Sequence, residues 1–180
     1  MRFAIASCAI LSLTACAAPP QAFSFADTPL ADRWLAVIEE GDWDGMAALL
    51  DEHAIYDDPT MAYFGEGPVH LEGREDIVEF WRESDEVSGT EYLRYDRLRC
   101  FTADNVIVIN AHLNIEVEGE FWNINRAMIP LNSAQTTILT TKDGLIIHVT
   151  DYFDYADAIK QVDAHRDRYG ELPKSQQASE

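Results

Sequence analysis

At 180 residues, with 47% hydrophobic and 11% aromatic side chains, the chain can fill one core and carry a short extra segment, but not two full domains. Its 32 acidic residues against 13 Lys and Arg leave a formal charge of −19, which disfavours nucleic acid and anionic lipid headgroups as partners. The acids are scattered rather than gathered in a run, so they read as a solubilising surface and not as a binding tail.

The N-terminus reads as an address. Arg2 precedes an apolar run from Phe3 to Leu13, well short of the roughly 20 residues a spanning helix needs. The layout is that of a signal peptide over residues 1–15, and Leu13-Thr14-Ala15-Cys16 resembles a lipobox. The resemblance implies cleavage before a lipidated Cys16, and Ala17 after it implies outer-membrane sorting, facing the periplasm. Residues 16–27 then form a tether held extended by Pro19 and Pro20. Lipid alone would touch the membrane. Cys8 would be removed with the signal, and Cys100 stands alone in an expected strand, so no disulfide framework is available. Cys100 reads as a small buried hydrophobe.

The domain is expected over residues 28–170. Thr28 and Pro29 make a helix start, with a hydroxyl cap and proline at the first helical position. Leu30, Trp34, Val37 and Ile38 then fall on one face, and Gly41 ends the helix. Asp42 caps a second short helix carrying Trp43, Met46, Ala47 and Leu50. Residues 54–58 read as a strand stopped by Pro59, and residues 61–70 as a loop. A third helix spans about 74–84. The period then changes to two, predicting strands over 92–101, 106–117, 121–131, 136–141 and 145–153, with a Lys142-Asp143-Gly144 hairpin before the last. A final helix at 156–169 and a disordered tail at 171–180 complete the chain. Helices first and a strand meander afterwards mean α+β: helices packed on one face of a curved antiparallel sheet.

Strand parity gathers the candidate chemistry. Tyr56 and Asp58 share a face, as do Asn110, His112 and Asn114, and Asp151 shares one with Ile147, Val149 and Phe153. A carboxylate among apolar neighbours is desolvated, and its pKa rises toward the range of a general base. Each residue also has a plainer reading. Asp58 before Pro59 suits a turn, Asp151 suits a hydrogen-bonded structural acid, and His112 suits a solvated strand face. His148 and Thr150 read as outward, and His53, His70 and His165 as loop or helix residues without metal-ligand spacing. Neither a nucleophile elbow nor a phosphate loop is present, and no cofactor is expected.

Three stretches together resemble the nuclear transport factor 2-like superfamily, in its SnoaL-like and limonene epoxide hydrolase-like branch. They are Gly41 to Leu50 leading into Ile55-Tyr56-Asp57-Asp58-Pro59; Gly73 to Ile77 with Phe80-Trp81; and Gly144-Leu145-Ile146-Ile147 with Asp151-Tyr152-Phe153-Asp154. The resemblance implies a cone-shaped curved antiparallel sheet wrapped around the N-terminal helices, with an apolar pocket inside. Asp58 matches the general base of the ketosteroid isomerases, whose carbonyl-polarising phenol falls on Trp34 and whose second donor falls near Thr136. Among the epoxide hydrolases, Tyr56 matches a tyrosine that helps hold the catalytic water, Asp58 replaces an asparagine with that task, and Asp151 matches a catalytic aspartate. The arginine and second aspartate of that triad fall on Asn110 and His112. The implied site therefore has Asp58, Asp151, Tyr56 and His112 as catalytic groups, and Trp34, Asn110 and Phe153 against the ligand. Two functions stay open: a cofactor-independent isomerase, cyclase or hydrolase acting on a small apolar or amphiphilic molecule, or a non-catalytic binding or envelope-accessory domain. Pairing of family members through the sheet allows a homodimer.

Overall fold

The computed structural model describes residues 28–64 and 67–173; the expected signal peptide, the expected lipidated Cys16 and tether, and residues 174–180 of the expected tail lie outside them. The elements are α1 (Pro29–Glu39), α2 (Trp43–Leu49), β1 (Leu50–Asp58), a 3-10 turn (Pro59–Phe64), β2 (Val69–Glu72), α3 (Arg74–Ser88), β3 (Tyr92–Ala103), β4 (Val106–Glu118), β5 (Met128–Lys142), β6 (Leu145–Phe153) and α4 (Tyr155–Tyr169). One curved six-stranded sheet has the order β2-β1-β6-β5-β4-β3. Every neighbouring pair is antiparallel except β1 and β6, which run parallel in the sheet interior.

The local signals explain most boundaries. Pro29 opens α1, but the Thr28 hydroxyl does not cap it; that oxygen lies 3.0 Å from Cys100 Sγ, tying the helix start to β3. Asp42 does cap α2, accepting from Gly45 N at 2.9 Å. Asp143 and Gly144 both have positive φ, as a two-residue hairpin of that twist demands. The expected strand over 121–131 is corrected: residues 119–127 fold back on themselves, and one continuous β5 begins at Met128. Gly119 is required at that reversal, because a Cβ there would sit 2.0 Å from the Arg126 carbonyl oxygen. The loop expected at 61–70 holds the 3-10 turn and the start of β2, so His70 lies on a strand, and His53 lies on β1. The tail is tied at its start, where Glu171 bridges to Ile124.

One face of the sheet carries the core. Trp34 of α1, Met46 of α2 and Ile77 of α3 pack there against Leu50, Tyr56, Ile109, Leu139, Ile146 and Val149. Farther along β4 and β5, Val162 of α4 closes a smaller cluster with Val117, Ile124, Ile129 and Leu131. Between the two clusters the inward positions of β5 and β6 turn polar: Ser133, Gln135, Thr137 and Asp151 are all buried. The opposite face carries Asn110, His112, Thr136, His148, Thr150 and Tyr152.

Candidate functional site

A polar band inside an apolar core is costly unless its groups are paired, so the pairing at each atom decides what the band can do. Thr137 and Asp151 stand directly opposite each other on β5 and β6. The Thr137 hydroxyl donates to Asp151 Oδ1, and Gln135 Nε2 donates to the same oxygen at 3.0 Å. The second N–H of that amide donates to Thr137 Oγ1 at 2.9 Å. Asp151 Oδ2, by contrast, is buried without a well-formed hydrogen bond, as are Gln135 Oε1 and the Tyr95 hydroxyl. The indole nitrogens of Trp34 and Trp81 are buried in the same condition.

Burial dominates the electrostatics here. Desolvation pushes the Asp151 carboxyl up from 3.8 to about 6; the bonds from Thr137 and Gln135 hold it back, and the Asp58 charge adds to the rise. The Tyr56 hydroxyl also hydrogen-bonds weakly to Asp151 and favours its ionised form, the least of these effects. Tyr56 and Tyr95 are themselves raised, first by burial and then by the Asp151 charge, so both phenols keep their protons. Phe80 and Trp81 of α3 pack against Tyr56 with ring centroids 5.6 and 6.0 Å away. Both are only partly buried, so they stand between Tyr56 and solvent on the α3 side.

Asp58 is also buried and inward, but every oxygen is employed. Oδ1 accepts from Thr60 N at 2.8 Å, Thr60 Oγ1 at 2.5 Å and Met61 N at 3.1 Å, while Oδ2 accepts from the Tyr155 hydroxyl at 2.8 Å. Thr60 Oγ1 in turn accepts from Phe153 N at 3.0 Å. This aspartate staples the 3-10 turn to β6 and α4, the plainer of its two readings.

The expected site is therefore split. Asp151, Tyr56, Asp58 and Trp34 are brought into one core. His112 and Asn110 are corrected: they point to the other face, where they border an open groove of about 420 Å³ with Leu98, Thr136 and Tyr152. Asn110 there donates to Thr136 Oγ1 at 2.7 Å. The inward residues at that level of β4 are Ile109 and Ala111, paired with Thr137 and Gln135. Strand parity groups Asn110 with His112 but does not say which face the helices cover. Phe153 borders the groove and leans on Tyr155, 5.3 Å between centroids. A bulge in β6 also replaces Ile147 by Ile146 on the inner face beside Val149. Gln135, Thr137, Tyr95 and Tyr155 were not singled out in the sequence; strict alternation along 133–139 held the signal for the first two, once the face was known.

On the outer face, Asp57 accepts from His70 at 2.7 Å and from His148 at 2.6 Å, joining β2, β1 and β6. Partial desolvation opposes ionisation of Asp57, but the two histidines outweigh it and hold its pKa below the ordinary value.

Comparison with known proteins agrees with this geometry. No curated protein matches the chain. Solved structures do, at low identity. A protein described as a SnoaL-like polyketide cyclase from Shewanella denitrificans superposes with a TM-score of 0.66 at 17% identity, covering 75% of this chain and 95% of that one. A polyketide cyclase so described from Xanthomonas campestris gives 0.58 at 19%, covering 74% and 93%. An epoxide hydrolase of the limonene epoxide hydrolase-like kind from M. tuberculosis gives 0.57 at 15%, covering 76% and 88%. These likenesses establish the fold. A family model described as the SnoaL-like domain matches residues 31–149, and the chain belongs to that family, within the nuclear transport factor 2-like superfamily.

Proposed function

We propose that the band around Asp151 is a small-molecule site in which Asp151 is the general acid and base of a cofactor-independent isomerase, cyclase or hydrolase. One observation carries this reading: Asp151 is fully buried, is held through Oδ1 by Thr137 and Gln135, and has no well-formed hydrogen bond at Oδ2, which Tyr56 approaches. A carboxyl raised to about 6 is matched to near-neutral proton transfer, from an activated C–H or from a water. The neutral Tyr95 and Tyr56 hydroxyls are the donors at hand, and a small apolar or amphiphilic ligand would enter past Phe80 and Trp81. Asp58, its oxygens taken by the 3-10 turn and by Tyr155 of α4, serves as scaffold.

A second reading, a ligand-binding or envelope-accessory domain without turnover, is favoured by Ile109 and Ala111, which give Asp151 no charged partner from β4. The two readings separate in one experiment. Steroids, terpenoids and their epoxides, polyketide-like aromatics and fatty acids are screened by thermal shift, where a ligand at ~100 times its Kd adds about 2.7 kcal/mol. Any hit is then assayed for turnover with wild type and Asp151→Asn. Turnover lost in the variant supports catalysis; binding without turnover selects the second reading; no hit from any class sinks the pocket.

We further propose that the protein is exported and anchored to the envelope, at the outer membrane facing the periplasm, through lipidated Cys16. Intact-mass measurement of the mature protein tests this, with Cys16→Ala expected to lose the lipid increment.

A further inference from the structure

We propose that β2 is a pH-operated strap on the edge of β1, fastened while His70 is an imidazolium held between Asp57 and Glu72 and loosened when His70 loses its proton. The strap lies on the outer face of the sheet and is independent of the reading of Asp151.

Both ring nitrogens of His70 face a carboxylate. Nδ1 lies 2.7 Å from Asp57 Oδ1 on β1, and Nε2 lies 3.3 Å from Glu72 Oε1 on β2 itself. A neutral imidazole carries one N–H and one lone pair, so only the doubly protonated ring donates to both oxygens. In the neutral ring, one nitrogen turns its lone pair toward a carboxylate. His148 on β6 differs. Among the described residues it makes its contacts through Nε2, with Asp57 Oδ2 at 2.6 Å and Thr150 Oγ1 at 3.4 Å. A neutral tautomer with its proton on Nε2 serves that bond to Asp57. The same carboxylate is thus tied to β6 whatever the charge of His148, but the double bond to β2 needs a charged His70.

The rest of the attachment of β2 is modest. It is a four-residue strand, Val69–Glu72, at the edge of the sheet and paired only with β1. Gly67 and Gly73, both at positive φ, flank it and let the chain bend at either end. Val69 and Leu71, opposite Asp58 and Tyr56, are partly buried against the core, while His70 and Glu72 are exposed.

The charges around His70 favour its imidazolium. Asp57 first and Glu72 next raise its pKa above the ordinary 6.5, with desolvation working against them. The elements packed against β2 are β1, α3 and the 3-10 turn. Beside Glu72, β1 brings Glu52 and His53, and α3 brings Arg74, Glu75 and Asp76. The 3-10 turn carries no charged residue, and His148 stands on the far side of Asp57. Carboxylates therefore outnumber cations at this edge. Because folding raises the His70 pKa, the hold of the strap is complete below the ordinary value and is lost as pH rises through the raised one.

The test is amide hydrogen exchange on the purified protein from about pH 5 to about pH 9, corrected for intrinsic rates, beside an NMR titration of the histidine rings. Protection of the Val69–Glu72 amides, relative to those of β4, is expected to fall about two- to fivefold as His70 deprotonates, the range of an exposed ion pair. His70→Gln flattens that dependence. Asp57→Asn and Glu72→Gln each lower the His70 titration and shrink the dependence, whereas His148→Gln keeps it. Protection of β2 that stays flat across the His70 titration overturns the strap, as does a pH dependence that survives in His70→Gln. A His70 that titrates at the same pH in wild type and in Asp57→Asn also overturns it.

Discussion

Asp58 and Asp151 are two buried aspartates on neighbouring strands, and their surroundings differ in one respect. Asp58 receives four hydrogen bonds spread over both oxygens, whereas Asp151 receives two on one oxygen and no well-formed bond on the other. Burial does not separate them, since both are inward and almost fully buried. The count of committed lone pairs does. A saturated buried carboxylate is part of the scaffold; a half-saturated one stores an unmet demand, and such demands gather where ligands bind.

Removing Asp58 should do the most damage. Asp58→Ala strips the partners from Thr60, Met61 and Tyr155 together and is expected to cost about 3–5 kcal/mol, read from the urea midpoint. A loss under about 1 kcal/mol would erase the distinction between the two acids.

Asp151→Asn should go the other way. The folded state raises the Asp151 pKa from 3.8 to about 6, so it holds the proton more tightly than the unfolded chain does. Stability therefore falls as pH rises from about 4 to 6, and the deficit is complete above that window. The amide removes the deficit and should stabilise by up to roughly 3 kcal/mol near pH 7, with the difference vanishing below pH ~4. Denaturation across pH 4–8 checks the sign. Destabilisation at every pH would make Asp151 a second scaffold acid.

Tyr155→Phe sharpens the comparison at lower cost. It removes one of the donors to Asp58 and should lose about 1 kcal/mol, without moving the Asp151 carboxyl band in infrared titration. His112→Ala, on the open groove, should change stability by no more than about 0.5 kcal/mol and leave that titration untouched.

The architecture was legible because its signals are periodic and local: the Thr28-Pro29 start, the Asp42 cap, the Asp143-Gly144 turn and the alternation of β4. What escaped were choices made by tertiary contacts. The backward fold of residues 119–127 hides in a stretch with strand-like residues, and its cause is the close approach at Gly119 to the Arg126 carbonyl. The site was half legible. Asp151, Tyr56 and Trp34 were placed inside correctly, but parity says which residues share a face and not which face is covered, so His112 and Asn110 went in with them. Gln135 was hidden for the same reason: a glutamine in an alternating strand looks solvated until α4 and α1–α3 are known to close over its side of the sheet.

The parallel seam between β1 and β6 has a kinetic consequence. β3 to β6 join sequential neighbours and can zip as a meander, but β1 meets β6 only after nearly the whole domain has been threaded between them. Closing so large a loop before any contact rewards it slows folding. The seam is thus the expected last stitch of the fold, and until it is drawn the inward edge of β1 stays open to any strand that arrives before β6 does.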